Sequence, residues 1–487
     1  MKAFLKGVAL FVALACLVWI AVLWRWRATQ RDMDEGDIVL YLGLLPIVLF
    51  ALALAVRWAV RSAMARQAAA ATAAATAGAS PASSGAAAQG KPPLHWHVLG
   101  AWINTAAGAS VDELLAALEA GSPRPAPDPA LHDDEGLPLM SARMADLDTT
   151  DIEAALPADL EHPMPERALR ALAGLSPLID EFSGSLLNWA EAWSDAESPS
   201  ARPQGSAAPA DEERLVRVLA SWPADWDDDC CATAQAWLTQ RLCDPLTAVL
   251  PPERWSIRSQ RMSGTELLSA AERTLDALQA QGRDDPVVLM ACHSDLDAGA
   301  IRALESRQRL FHATRRPKAA MAGEGAAVLV VSAVAWPADA PIENERVRFV
   351  SPALVRRAQS VEAPGRVSAD DAVRLVEHGL TSAGLDGASV AKLASDADQH
   401  TARATELFAV TLALTPDLDA NEDFRLAGTL TGRVESVAPL LTLAMAAAQA
   451  RESGKPAVAL SLSDPHWRMA AVLRPASFSN TPDAAQA

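Results

Sequence analysis

Residues 323–333 read Gly-Glu-Gly-Ala-Ala-Val-Leu-Val-Val-Ser-Ala, and this stretch decides the fold class. Two glycines and a glutamate precede an unbroken run of small and β-branched residues, which is typical of a strand buried on both faces. On both sides of this stretch, the chain alternates similar short runs with amphipathic segments rich in Ala and Leu. Alternating strands and helices predict an α/β fold with a buried sheet between helical layers.

The same patterns place the other elements. Strands are predicted at 97–103, 287–291, 326–333, 347–350, 407–412 and 457–462. Helices are predicted at 111–120, 165–173, 212–220, 232–241, 264–280, 369–384 and 434–451. The last helix is apolar almost all round, which indicates burial between layers. Two stretches rich in Pro, Ser and Ala are predicted to be surface loops, 121–136 and 198–213.

Residues 1–66 are predicted to be a membrane anchor with two transmembrane helices, at about 7–24 and 39–56. Each span is uncharged and long enough to cross the hydrocarbon core, because a helix rises about 1.5 Å per residue. A signal peptide, or a lipoprotein cleavage site at Cys16, is the alternative for the first span, but a second span follows at once.

The positive charges around the spans predict their orientation. Lys and Arg residues before the first span and after the second outnumber those in the connecting loop, and such residues favour the cytoplasmic side. The outer positions are Lys2, Lys6, Arg57, Arg61 and Arg66. We therefore expect both ends of the anchor, and the water-soluble domain, to lie in the cytoplasm.

The composition beyond the anchor predicts a linker and one large domain. Residues 67–93 are almost entirely Ala, Thr, Gly, Ser and Pro, which is typical of a linker. The domain is predicted to have two halves, 94–335 and 336–478, before a disordered tail at 479–487. The net charge of -18 argues against nucleic-acid binding, because phosphate binding needs clustered Lys and Arg. The cysteines lack zinc-site spacing, so we expect reduced thiols and no metal. The sequence contains no Walker or dinucleotide-binding motif, so we expect no cofactor.

Four segments in chain order resemble the β-ketoacyl synthase branch of the thiolase-like superfamily. They are 97–121, then 263–291 with its helix opened by Ser263-Gly264, then 323–330, and finally 428–451. The resemblance covers most of 94–475 and implies a layered thiolase-like domain behind the two transmembrane helices. Proteins of this superfamily usually pair through their central sheets, so the resemblance also allows a homodimer.

The synthases act through a nucleophilic Cys at a helix N-terminus and two His residues. Aligned on Ser263-Gly264, the Cys position is occupied by Arg261, and the synthases' Gly-His turn reads Gly432-Arg433. The remaining His position falls near His400. The vestigial active-site positions are therefore Arg261, Ser263, Gly264, His400 and Arg433. From the two arginines we predict a protein without catalytic activity.

Other chemistry-bearing residues have a structural and a functional interpretation. Cys292-His293 follow a strand and lie near Asp295 and Asp297. They form either a metal or nucleophilic site or only the structural end of the strand. Cys230-Cys231 follow a run of aspartates, which disfavours thiolates.

Membrane tethering, a degenerate synthase-like body and an acidic surface together resemble the type VI lipase adapter proteins. The resemblance implies a bacterial inner-membrane protein that binds a lipase effector and helps to load it onto the type VI secretion machinery. One alternative is a divergent membrane-tethered acyltransferase or ketoacyl synthase-like enzyme of lipid metabolism that uses Cys292 or His400. Another is a structural scaffold.

Overall fold

The computed structural model describes most of the chain beyond residue 93. The described ranges are 94–133, 135–157, 163–197, 214–247, 249–317, 319–334, 347–363 and 368–478. They belong to one compact unit, Gly90–Ala487. The predicted anchor, linker and tail, and the predicted loop at 198–213, lie outside the described residues. None of the described helices is both long and apolar enough to cross a membrane.

A mixed sheet runs through the domain in the order β11-β10-β12-β13-β8-β1-β7-β6-β4-β5, with β2, β3 and β9 joined beside this path. The strands are β1 His95–Thr105, β2 Ala126–His132, β3 Pro138–Ala142, β4 Val216–Trp222, β5 Trp255–Arg261, β6 Val287–Ser294, β7 Ala322–Ser332, β8 Val347–Val350, β9 Ala353–Arg356, β10 Lys392–Ser395, β11 Phe424–Leu426, β12 Ala457–Ser461 and β13 Trp467–Pro475. Residues 323–332 lie in β7, which pairs antiparallel with both β1 and β6.

Helices cover both faces of this sheet. They are α1 Val111–Ala120, α2 Thr150–Ala155, α3 Glu166–Glu197, α4 Asp228–Cys243, α5 Gly264–Gln281, α6 Ala298–Ser306, α7 Asp370–Ala383, α8 Thr401–Leu414, α9 Gly428–Thr431 and α10 Ala438–Ser453.

Alternation along β6 shows how the layers form. Leu289 and Ala291 join a hydrophobic cluster with α1, α5 and α10, whereas Val288 and Met290 join a second cluster with α3 and α4. A third cluster packs α7 and α8 against β10, β12 and β13. Successive side chains of a strand point to opposite faces, so every residue of β6 is buried. The α/β layered fold is therefore confirmed.

Two predicted elements have the wrong type. Residues 407–412 were predicted to be a strand but lie within α8. The predicted helix 212–220 overlaps β4, to which its residues 216–220 belong. A short apolar run such as 407–412 has no period that separates strand from helix. The segment 216–222 lies between β5 and β6 in parallel pairing, where burial on both faces removes the usual alternation.

Several elements were not predicted at all, including β5, β10, β13 and α6, and others differ in their boundaries. The predicted helix 165–173 is the start of the longer α3, and the predicted loop 121–136 contains β2. The predicted helix 434–451 corresponds to α10, which is buried at nearly every position before its last turn. The predicted division of the domain at 335 falls among residues that are not described and stays a prediction.

Candidate functional site

A cavity of about 580 Å³ lies where the loop after α6, the start of α8 and the turn before α10 meet. Guanidinium groups dominate its lining: Arg307, Arg309, Arg315, Arg316, Arg403 and Arg433. Carboxylates accompany them, namely Glu362, Asp396, Asp398 and Glu435. We call this the arginine cavity. Such a lining can form charge-assisted hydrogen bonds with an anionic group.

Arg433 is the centre of an ion-pair chain at the base of the cavity. Its Nη1 lies 2.5 Å from Asp295 Oδ1, and its Nε donates to Glu435 Oε1 at 2.9 Å. Arg309 Nη2 donates to the same Glu435 oxygen at 3.3 Å and to Glu362 Oε1 at 3.0 Å. Two arginines thus alternate with three carboxylates brought together from four separate segments.

The charged groups of this ion-pair chain shift the pKa values of its carboxylates. Burial raises the pKa of Asp295, but the Arg433 and His293 beside it outweigh that effect and hold the pKa well below its usual value. Burial also raises the pKa of Glu435, but Arg433, together with Arg309 and His293, lowers it further than burial raises it. Both carboxylates are therefore ionised at neutral pH.

His293 lies next to the ion-pair chain, at the end of β6. Its side chain is buried, and Nε2 lies 3.2 Å from Asp295 Oδ1. Neither ring nitrogen makes a hydrogen bond of good geometry with the described residues, and Asp295 Oδ2 is also without one. Buried polar atoms without partners are uncommon and mark a place for water, an ion or a ligand group.

A second polar cluster lies on the α8 side of the cavity. Arg403 Nη1 donates to Asp398 Oδ2 at 2.5 Å, and its Nη2 donates to the Ser463 carbonyl at 2.6 Å. Asp396 is buried and accepts hydrogen bonds from Leu462 N at 2.6 Å and Ser463 Oγ at 2.7 Å. These bonds fix the loop after β12 against the start of α8. Burial is the main reason that the pKa of Asp396 is raised.

The structure brings only two of the five predicted site positions to this cavity. Arg433 and His400 line it, and His400 caps α8 by accepting at Nδ1 from Ala402 N at 3.3 Å. Arg261 and Ser263 do not line the cavity. Arg261 ends β5 and pairs instead with Asp228, its Nη2 lying 2.6 Å from Oδ1.

Ser263 and Gly264 open α5 for structural reasons. Ser263 caps the helix in a capping box with Glu266. A Cβ on Gly264 would lie 2.6 Å from the Ser436 carbonyl and 2.7 Å from Pro439 Cδ, so a glycine is needed where α5 meets the start of α10. This contact fixes the turn that carries Arg433 and Glu435.

The described thiols are not activated. Burial, followed by the nearby Cys231 and Asp227, raises the pKa of Cys230 to about 12. Cys292 is fully buried, and burial raises its pKa further. The expectation of weakly acidic thiols at 230 and 231 is confirmed in direction, although burial contributes more than the aspartates.

One set of side chains has the composition of a metal site. Asp133, Glu135 and His312 each offer a ligand atom, and these atoms lie within 4.8 Å of one another. Two of these residues already have other partners. Arg315 forms an ion pair with the Glu135 carboxylate, and Arg315 N donates a hydrogen bond to His312 Nδ1 at 3.2 Å. The expectation that the protein holds no metal stays a prediction.

Comparison with known proteins bears on the fold. The ketosynthase from module 6 of the bacillaene synthase from Bacillus subtilis 168 matches with a TM-score of 0.51 and 12% sequence identity, over 79% of this chain and 72% of that chain. The described domain has a ketosynthase-like fold. The ketosynthase from module 1 of the bacillaene synthase from Bacillus amyloliquefaciens FZB42 has a TM-score of 0.50 and 9% identity, over 80% of this chain and 75% of that one. No family model and no curated protein match the sequence.

This comparison corrects one prediction and confirms part of another. The prediction from Arg261 and Arg433 that the protein is not an enzyme is wrong, because the similar structures are ketosynthases, which are enzymes. The thiolase-like part of the resemblance is confirmed at the level of the ketosynthase-like fold.

Sequence reasoning missed most of the arginine cavity. Arg309, Arg403 and Glu435 were not singled out, and Asp295 was considered only as a neighbour of Cys292-His293. One local signal was present: four arginines fall within residues 307–316 of a chain with an excess of acids. That cluster could have identified the basic side of a binding site.

Asp295 predicts a specific pH dependence of stability. Because the folded pKa is depressed, its carboxylate stabilises the fold above the ordinary aspartate pKa of about 4, and that contribution is lost as the pH falls. An Asp295→Asn variant should therefore lose less stability than the parent between about pH 5 and pH 3. Urea midpoints of the detergent-solubilised full chain across this range measure it. Parallel profiles for parent and variant would contradict the expectation.

Proposed function

We propose that this chain is a membrane-tethered adapter that binds a protein client through an anionic group received in the arginine cavity. The observation that carries the proposal is the gathering of six arginines around one cavity in a chain whose net charge is -18. Arginine is suited to this task because its planar fork forms two parallel hydrogen bonds to a carboxylate or phosphate.

The mouth and the base of the cavity differ in how their charges are used. At the base, Arg309 and Arg433 are already paired with carboxylates. At the mouth, Arg307 is exposed and makes no ion pair with any described residue, while Arg315 pairs with Glu135 with both side chains largely exposed. The mouth arginines can therefore attract an acidic segment without breaking a buried pair.

The identity of the client follows from the sequence resemblance alone. The adapter family implies a lipase effector as client and the type VI secretion machinery as the destination. The predicted spans at 7–24 and 39–56 would hold the adapter in the bacterial inner membrane, with its domain in the cytoplasm. These assignments are part of the proposal.

The test is an affinity pull-down with the detergent-solubilised full chain from its native cells, read by quantitative mass spectrometry. The parent should recover a lipase together with secretion-spike components. The variant Arg307→Glu/Arg315→Glu should bind the client about thirtyfold more weakly and recover correspondingly less of it, because two surface charge contacts of about 1 kcal/mol each are lost. Arg302→Glu is the matched control, since Arg302 is exposed on α6 and does not line the cavity.

Two results would count against the adapter. Equal recovery of the client by the double variant and the parent would remove the arginine cavity from client binding. Recovery of acyl carrier protein alone would favour the second candidate, a membrane-tethered acyltransferase or ketoacyl synthase-like enzyme. The ketosynthase-like fold favours that candidate, as does the position of His400 on the cavity.

A further inference from the structure

A second cavity, of about 520 Å³, lies between the start of α1, strand β1, helix α3 and the end of α10. Its charged and aromatic lining consists of Trp102, Asp112, Glu181, Trp189 and Arg451, and Ser110, Ser185 and Asn188 add polar groups. Alanines at 444, 447 and 448 form the α10 side, and their small side chains leave the space open. We call this the carboxylate groove.

The floor of the groove is aromatic and is held rigidly. A Cβ on Gly100 would lie 2.3 Å from Cη2 and 2.7 Å from Cζ3 of Trp102, so the indole packs directly against the glycine backbone. The pairing of β1 with β7 shifts register between Val98 and Gly100, and such a bulge redirects side chains. Phe182 supports Trp102 from behind, in an edge contact at 6.0 Å between ring centroids.

The rim of the groove carries more negative than positive charge. Asp112 and Glu113 lie in the first turn of α1, and Glu181 approaches from α3. The cation among the lining residues is Arg451, whose Nη2 is 3.9 Å from Asp112 Oδ1. Glu181 makes neither an ion pair nor a hydrogen bond with the residues that the structure describes. Burial and then the charge of Glu113 raise the pKa of Glu181, as expected for carboxylates that lack a cation between them.

We propose that the carboxylate groove binds an organic cation on a short alkyl stem, of the alkylguanidinium class. The carboxylates of Glu181 and Asp112 contact the guanidinium, and the stem packs on the Trp102 ring and the alanines of α10. Cations bind favourably against aromatic rings, and the stem buries apolar surface that guanidinium alone cannot. This inference is independent of the adapter proposal.

The experiment is isothermal titration calorimetry of the detergent-solubilised full chain with n-butylguanidinium, corrected for titration into micelles alone. Guanidinium without a stem and n-butanol without a charge are the comparison ligands, and both should bind more weakly than n-butylguanidinium. The variant Glu181→Gln should weaken binding about fivefold, the effect of one charge contact near a protein surface. It keeps the size of an exposed side chain, so folding is preserved.

The matched control is Asp180→Asn on the same helix. The Asp180 carboxylate accepts from Arg241 Nη2 at 2.6 Å and does not line the groove, so this variant should bind n-butylguanidinium like the parent. The proposal is overturned if Glu181→Gln binds as tightly as the parent, if guanidinium alone binds equally well, or if no saturable heat is observed.

Discussion

Replacing Arg170 with Met is expected to lower the free energy of unfolding by about 3–5 kcal/mol. Arg170 donates two hydrogen bonds to Glu324, from Nε at 2.9 Å and Nη2 at 2.6 Å, and Glu324 is 0% exposed. Met144 N and Ser294 Oγ complete the contacts of the carboxylate at 2.7 Å and 3.1 Å. The substitution leaves a buried carboxylate without its cation, which costs more than the lost contact.

Urea unfolding of the detergent-solubilised full chain, followed by tryptophan fluorescence, measures this effect. Arg241→Met is the control, because its pair with Asp180 is exposed and should contribute at most about 1 kcal/mol. The double variant Arg170→Met/Glu324→Gln should recover part of the loss, since it removes the stranded charge. A loss in Arg170→Met no larger than in Arg241→Met would show that the buried pair is not a major source of stability.

The position of Glu324 shows what the sequence can and cannot predict. Residues 326–333 are β-branched and apolar enough to predict the strand β7, and the structure confirms it. The partner Arg170 is 154 residues away on α3. A local sequence pattern carries no information about a contact between residues so far apart in the chain. Apolar periodicity therefore predicts elements and layers, whereas ion pairs between elements depend on how the layers pack.

The candidate site was only partly predictable for the same reason. Residues near 400 and 433 were located through their resemblance to synthase positions, and both line the arginine cavity. Asp295 meets Arg433 across 138 residues of sequence, so the chemistry at the base of the cavity depends on tertiary packing. Arg261 lies outside the cavity at the end of β5, a strand that was not predicted. This polar strand pairs only with β4 along the path of the sheet, and an exposed edge strand has little apolar signal.

Replacing Glu406 with Leu should also lower the free energy of unfolding by about 3–5 kcal/mol. Here the buried groups left without a partner are cations, whereas in Arg170→Met the group is an anion. Glu406 lies on α8 and is 1% exposed; it pairs with Arg357 and with Arg468, which is 0% exposed. Arg468 Nε donates to Glu406 Oε2 at 2.5 Å and its Nη2 donates to Oε1 at 3.2 Å. The variant would leave two guanidinium groups without their carboxylate, and a guanidinium keeps its proton throughout the accessible pH range.

The Glu406→Leu substitution should also affect the arginine cavity, because Glu406 lies one helical turn beyond Arg403 on α8. Loss of the anchor between α8 and β13 should loosen the start of α8, where His400 and Arg403 line the cavity. Urea unfolding gives the stability change, and Glu377→Leu, at an exposed position of α7, is the control expected to stay within about 0.5 kcal/mol of the parent. Hydrogen exchange of residues 400–406 separates the two effects. Faster exchange there under native conditions is expected in the Glu406 variant, and unchanged exchange would mean that α8 is held by its apolar face alone.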